Sequence, residues 1–98
     1  MIIESIEKEF RLNNKLLLYN SDKTEIMVRC PYCGDSNNKN HAHFYIKSTT
    51  PYEFFCQKCE IKGYLNEDNL KDFNIYNDLL FNDLYKEIKE YKKNYLIY

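Results

Sequence analysis

The 98-residue sequence predicts an α+β fold in which a small antiparallel sheet lies between an N-terminal helix and C-terminal helices. Two patterns lead to this prediction. Near both ends of the chain, apolar residues recur at the spacings that place them on one face of a helix. In the middle of the chain, apolar and polar residues alternate between turn-forming segments, as in strands that bury one face.

The first helix is expected over residues 2–11, and residues 13–14, both asparagine, are expected to end it. The apolar residues of this segment share one face: Ile2, Ile3, Ile6 and Phe10. Four segments that alternate or are rich in aromatic residues are expected to form strands: 15–19, 24–29, 42–47 and 52–55.

The pattern turns helical after Asn66, which is a predicted N-cap with Glu67 and Asp68 in the first turn. A short helix at 67–72 is expected to precede a longer one at 76–95. The longer helix carries an apolar seam: Phe81, Leu84, Ile88, Tyr91 and Tyr95. The seam is too short for a coiled coil, so we expect it to pack on its own domain, with a protein partner on helix 76–95 as the alternative.

We divide the chain into an N-terminal helix at 1–14, a central domain at 15–65 and a C-terminal helical extension at 66–98. The composition, with 44% hydrophobic and 30% charged residues, is typical of a soluble globular protein. The apolar runs are too short to span a bilayer, and the N-terminus lacks the pattern of a secretory signal. We therefore expect a cytoplasmic protein with no membrane contact.

Two Cys-x-x-Cys pairs, Cys30 with Cys33 and Cys56 with Cys59, are separated by 22 residues. Each short spacing lets one turn aim two sulfurs at a single point. Two such turns complete a tetrahedron around one Zn²⁺, with Zn–S distances of about 2.3 Å. Because four thiolates leave no position for water or substrate, the sequence predicts a structural zinc and a zinc-ribbon fold.

Three other interpretations of the cysteines are weaker. A disulfide framework suits a secreted chain, and a redox pair is expected beside a βαβ unit. A four-thiolate iron site is possible because Cys33-Gly34 resembles a rubredoxin knuckle, but Cys59 is followed by Glu60. His41 and His43 are not predicted to be ligands, since four cysteines already fill the coordination shell.

These segments resemble the N-terminal zinc-binding domain of bacterial and bacteriophage DNA primases over about residues 24–73. The residues that carry the resemblance are Cys30-Pro31-Tyr32-Cys33-Gly34-Asp35-Ser36, His43-Phe44-Tyr45-Ile46, Phe54-Phe55-Cys56-Gln57-Lys58-Cys59 and Gly63. The resemblance implies DNA replication in a bacterium or a phage-infected host. There the ribbon would recognise single-stranded DNA template in support of primer synthesis.

The sequence departs from that family in two ways. The bacterial members usually have His as the second ligand, whereas this chain has Cys33, as several phage primases do. No acidic Mg²⁺-binding motif follows residue 73, so we expect no enzymatic activity from the chain alone. It would be a detached domain or a subunit whose partner is a polymerase, a primase catalytic domain or a helicase.

The net charge of −1 requires any nucleic-acid contact to come from a local basic face. Outward strand positions and adjoining loops collect cations and one aromatic, the combination that single-strand binding needs. The predicted contact residues are Arg29, Lys39, His41, His43, Tyr45, Lys47, Lys58 and Lys62. These side chains are equally typical of a solvated sheet face. Of Phe54 and Phe55, one is expected in the core and the other on the stacking face.

Two other functional classes compete with template binding. The chain can be a zinc-ribbon accessory factor that makes protein contacts in a replication or transcription complex, which the acidic net charge and the seam of helix 76–95 favour. An enzyme in its own right is disfavoured because no nucleophile–base pair, Gly-rich phosphate loop or open metal position is evident.

Overall fold

The computed structural model describes residues 2–95, with only the backbone described at Tyr95. The elements in chain order are α1 Ile2–Leu12, β1 Leu17–Tyr19, β2 Glu25–Val28, β3 Phe44–Lys47, β4 Glu53–Cys56, β5 Lys62–Tyr64, α2 Glu67–Asp72 and α3 Asp78–Tyr95. One antiparallel sheet with helices at both ends confirms the α+β prediction.

The sheet is a five-stranded meander in which each strand pairs antiparallel with the next one along the chain. In a meander, alternate connections emerge at the same end of the sheet. The β2–β3 and β4–β5 connections therefore lie at one end. The first Cys-x-x-Cys pair lies in the β2–β3 connection, and the second begins at Cys56, the last residue of β4. The topology alone brings the two pairs towards each other.

The helices cover one face of the sheet, and the core lies between the two layers. Alternate strand residues point into this core: Leu17, Ile26, Val28, Phe44, Ile46, Phe54 and Cys56. The Phe44 ring stacks on Phe54 at 4.9 Å between centroids and meets Phe73 edge-on at 5.4 Å. Burying each such ring is worth about 1.5–3 kcal/mol, so this aromatic cluster anchors the helices to the sheet.

The helix boundaries follow from local capping. Asn14 has a left-handed φ of 55° and ends α1, as the sequence indicates. Asn66 caps α2 in a reciprocal capping box with Asn69, which confirms the predicted cap. The expected start of the long helix at 76 is wrong by two residues, because the Asn77 side chain accepts the Leu80 N–H at 3.2 Å and starts α3 at residue 78.

α3 packs on its own domain through the N-terminal part of the predicted seam. Phe81 and Leu84 are buried, and Ile88 packs against the core. Tyr91 is half-buried, and the side chain of Tyr95 lies outside the described residues. None of the helices in the described part of the chain combines the length and the apolar character needed to cross a membrane.

The sequence analysis missed β5, which pairs with β4 through Phe54 opposite Gly63. Gly63 permits a close approach between β5 and the Phe54 side chain. A Cβ at residue 63 would lie 3.0 Å from the Phe54 ring. The glycine therefore leaves room for the Phe54 ring against the edge strand of the sheet.

Candidate metal centre and nucleic-acid interface

The four cysteines converge on one point. All four Sγ atoms lie within 4.8 Å of one another, and the Cys30–Cys59 and Cys33–Cys56 pairs are 3.8 Å apart. A tetrahedron with metal–sulfur distances of about 2.3 Å has sulfur–sulfur edges of about 3.8 Å. A disulfide needs about 2.05 Å, and all four thiols are free. The cluster can hold a metal ion and contains no disulfide.

The two Cys-x-x-Cys turns share one hydrogen-bonding design. Cys30 Sγ accepts backbone N–H groups of Tyr32 and Cys33, both at 3.4 Å. Cys56 Sγ accepts those of Lys58 and Cys59 at 3.4 and 3.5 Å. Such bonds fix the direction of each sulfur and favour its thiolate form. They come from the second and third residues after the first cysteine, so the proline between Cys30 and Tyr32 removes no donor.

The residue after each pair has a left-handed backbone. Gly34 has a φ of 76° and Glu60 a φ of 65°. In both turns this residue donates its N–H back to the carbonyl of the first cysteine, at 3.2 Å to Cys30 and 2.9 Å to Cys56. Glu60 therefore adopts the conformation of its glycine counterpart, and the second turn closes as the first one does.

The centre has a buried half and an exposed half. Cys30 and Cys56 are buried, whereas Cys33 and Cys59 are exposed. Burial raises the pKa of the Cys30 thiol to about 12 and also raises the pKa of Cys56. A hydrogen bond from the Asp35 backbone lowers the pKa of Cys33. A metal ion must displace protons from the buried pair, so its binding releases protons.

Asp35 joins the first turn to β3, and the sequence analysis did not assign it to the site. Its buried Oδ2 accepts backbone N–H groups of Cys30 at 3.3 Å and His43 at 2.9 Å. Its Oδ1 accepts the Ser36 N–H at 2.7 Å and lies 2.6 Å from Nδ1 of the His43 ring. Burial opposes the negative charge, but these bonds outweigh it and hold the pKa of Asp35 below its usual range. An acid two residues after the first pair was the available signal.

Arg29 organises the loop that follows the first turn. Its two terminal nitrogens donate to four backbone carbonyls at 2.7–2.9 Å, those of Gly34, Ser36, Asn38 and His41. The terminal N–H groups of the guanidinium are therefore engaged within the chain. A phosphate contact by Arg29 remains a prediction, and it would require some of these bonds to be given up.

The sheet face away from the helices carries a row of side chains that crosses all five strands and is apolar or aromatic on the first four. The strand register places its members side by side in the order Leu18, Met27, Tyr45, Phe55 and Lys62. Phe55 is 40% exposed, whereas Phe54 is buried on the other face. The structure thus resolves which of the two phenylalanines belongs to the core.

The remaining predicted contact residues surround this row. Lys47 lies on the same face and forms an ion pair with Glu25 at 3.6 Å. Lys39 and His41 are exposed in the β2–β3 loop, at the end of the sheet where the four cysteines lie, which we call the metal end. Lys58 is exposed in the second Cys-x-x-Cys turn. The half-buried His43 ring is held by Asp35. The structure therefore groups Tyr45, Lys47 and Lys62 on the open face and the other exposed cations at the metal end.

Comparison of the chain with protein-family models, with curated proteins and with solved structures finds no match. The resemblance to the primase zinc-binding domain therefore rests on the quoted sequence segments alone.

Proposed function

We propose that the chain is a zinc ribbon that binds single-stranded DNA on its open sheet face, as the DNA primase resemblance implies. It would support primer synthesis by a separate catalytic domain and perform no catalysis itself. The observation that carries the proposal is the pair Tyr45 and Phe55, which lie side by side in the strand register on the face that the helices leave uncovered.

Aromatic side chains on an open sheet are suited to unpaired bases. Every base has a π-face, and stacking on an aromatic contributes about 1–3 kcal/mol per base without requiring a particular sequence. Tyr45 and Phe55 stand on adjacent strands, which are about 4.8 Å apart, so neighbouring bases can each contact a ring. Lys47 and Lys62 can neutralise phosphates beside them.

Zinc is the metal that the donor set favours. Four thiolates in tetrahedral positions select Zn²⁺ or an iron–sulfur site, and both belong to soft-ligand chemistry. Elemental analysis of protein purified without added metal should give one zinc per chain. Coloured protein that contains iron would contradict the zinc assignment and leave the sheet-face proposal to be tested separately.

Fluorescence anisotropy with labelled single-stranded oligonucleotides tests the proposed face. The wild-type chain is expected to bind with micromolar affinity that weakens as salt increases. Tyr45→Ala and Phe55→Ala should each reduce affinity by about 5–100-fold, the equivalent of one lost base stack. Lys47→Ala should have a smaller effect that fades at high salt.

Tyr85→Ala is the matched control, because Tyr85 is an exposed aromatic of α3 and lies away from the sheet face. It should bind as the wild type does. Equal binding by the wild type, Tyr45→Ala and Phe55→Ala would rule out the assigned face. A loss of affinity in Tyr85→Ala alone would move the binding site to the helical layer.

A second candidate is the accessory factor that makes protein contacts. A groove of about 450 Å³ between α2 and α3 favours it, with Phe81, Leu84 and Ile88 at its base and the exposed Tyr85 beside them. Size-exclusion chromatography with light scattering discriminates the two functions. A monomer that binds oligonucleotide and no replication protein would contradict the accessory role. In that case Tyr85→Ala should leave the oligonucleotide affinity unchanged.

A further inference from the structure

The open sheet face contains a depression of about 380 Å³ beside the two stacking rings. Its walls are Tyr45 and Phe55, and its polar lining comes from Glu25, Lys47, Glu53 and Gln57. Small-molecule sites commonly have volumes of about 300–1,000 Å³, so the depression is large enough for one base. The two rings can stack on the base, and the polar groups can form hydrogen bonds with its edge.

The two carboxylates of the depression differ in their partners. Glu25 is paired with Lys47 across β2 and β3 at 3.6 Å. Glu53 is exposed, and its carboxylate has no hydrogen bond or ion pair to any described residue of the chain. It lies two residues before Phe55 in β4, so both side chains stand on the same face. Glu53 is therefore the acceptor that remains available to a base stacked on Phe55.

We infer that Glu53 selects bases with an exocyclic amino group, so that this site prefers cytosine or adenine to thymine. This inference rests on the proposed single-strand binding. The N4 amino group of cytosine and the N6 amino group of adenine donate hydrogen bonds, and a carboxylate only accepts them. Thymine presents the O4 acceptor at the same position, which would face the Glu53 carboxylate without a proton between them.

Gln57 and Lys47 fit the same assignment. Gln57 stands two residues beyond Phe55 and lines the same depression, where its amide N–H can donate to a ring nitrogen acceptor of the base. The ammonium of Lys47 is held at the Glu25 side of the depression. It can contact a phosphate there and leave Glu53 to the base.

Binding of decamers of dC, dA and dT, measured by anisotropy at one fixed salt concentration, tests the inference. The wild-type chain should bind the dC and dA decamers about tenfold more tightly than the dT decamer, as one charge-assisted hydrogen bond predicts. In Glu53→Gln the amide can both donate and accept, so the ratio of dC to dT affinity should fall to about one.

The control is Glu90→Gln, which removes the same charge from an exposed position on α3. It should keep the tenfold ratio, and any general gain from the lost negative charge should appear equally for all three decamers. A wild-type ratio near one, or an unchanged ratio in Glu53→Gln, would overturn the inference while leaving single-strand binding intact. Failure of the wild type to bind any decamer at low salt would instead overturn the proposed function itself.

Discussion

The carboxylate of Asp35 connects the first Cys-x-x-Cys turn to β3 through three backbone N–H groups and the His43 ring. Asparagine at this position would keep the size, but its NH₂ group would face donors that need an acceptor. We expect Asp35→Asn to lower the free energy of unfolding by about 2–3 kcal/mol, as the loss of a buried charged acceptor does. Metal affinity should fall by about 10–100-fold, as it does when a group that supports ligands is lost.

Chemical denaturation and competition with a zinc-binding dye measure the two effects of Asp35→Asn. Asp83→Asn serves as the control, because Asp83 is exposed on α3 and far along the chain from the cysteines. If Asp35→Asn bound zinc with wild-type affinity, the supporting role of Asp35 would be refuted.

The left-handed residues after the cysteine pairs give two substitutions with opposite expected signs. Gly34 has a φ of 76° and open space around it, so Gly34→Ala introduces backbone strain with no steric clash. It should destabilise the fold by about 1 kcal/mol, or about 4–8 °C in Tm. Glu60→Gly relieves the same strain at φ 65° and should raise Tm. Thermal unfolding of the zinc-loaded chains would show whether the signs differ.

Prediction from sequence succeeds for residues whose role is local. The Asn66 cap and the turn within each Cys-x-x-Cys pair depend on neighbours only a few residues away, and the structure confirms the cap. The structure also confirms the clustering of the two pairs, which the matched Cys-x-x-Cys spacing indicated although the sheet topology brings them together. The role of Arg29 depends on the path of an irregular loop, because its partners are backbone carbonyls. No side-chain pattern signals such an arrangement, so Arg29 was interpreted only as an outward cation.

At the scale of elements, Tyr52 ties the sheet layer to α3. The Tyr52 hydroxyl donates to the Glu87 carboxylate at 2.5 Å. Burial raises the pKa of Tyr52, and the hydrogen bond to Glu87 raises it further. The folded pKa therefore lies above the unfolded value of about 10, and the stabilisation is complete below that pH. As the pH rises through the folded pKa, this contribution is lost.

Tyr52→Phe is expected to lower stability at neutral pH by about 1 kcal/mol, through the lost hydrogen bond. It should also flatten the decline in stability that the wild type shows above pH about 10. Urea denaturation at two alkaline pH values and at neutral pH measures both effects. Tyr64→Phe is the control, since Tyr64 is exposed on β5. A decline of equal slope in wild type and Tyr52→Phe would show that Tyr52 does not titrate with unfolding.

Helices and strands were predictable where periodicity extended over several residues. α1, α2 and α3 and the strands β1 to β4 all correspond to predicted segments, with ends that differ by at most two residues. β5 was missed because three residues with a central glycine, Lys62–Tyr64, give no alternation to detect. β5 forms because β4 would otherwise have an unpaired edge, and because the Phe54 ring fills the space above Gly63.

For the whole molecule, the metal should contribute more than any other single interaction. Zinc binding by structural sites amounts to about 10–16 kcal/mol, whereas small domains have net stabilities of about 5–15 kcal/mol. Removing zinc with a strong chelator should therefore abolish the cooperative thermal transition and the β-sheet signal in circular dichroism. Cys56→Ser should reproduce this loss, because Cys56 is both a predicted ligand and a core residue. A chelated chain that unfolds at the wild-type Tm would contradict a structural metal.

The first Cys-x-x-Cys turn also contacts the helical layer and the core, through the side chain of Tyr32. Tyr32 lies between Cys30 and Cys33 in the sequence. Its hydroxyl donates a hydrogen bond of 2.7 Å to the carboxylate of Asp72, the last residue of α2. The Tyr32 ring packs against Phe44 at 6.2 Å between centroids. Displacement of the first Cys-x-x-Cys turn would break both contacts, so we expect chelation of a bound metal to loosen α2 together with the sheet.

The hydrogen bonds from Arg29 to four main-chain oxygens allow the adjoining loop to vary in sequence. Every amino acid supplies a carbonyl, so these four bonds do not depend on which side chains residues 37, 39 and 40 carry. Replacements at Asn37, Lys39 and Asn40 can therefore accumulate without unravelling the segment. This part of the surface is free to acquire new contacts while the metal end keeps its shape.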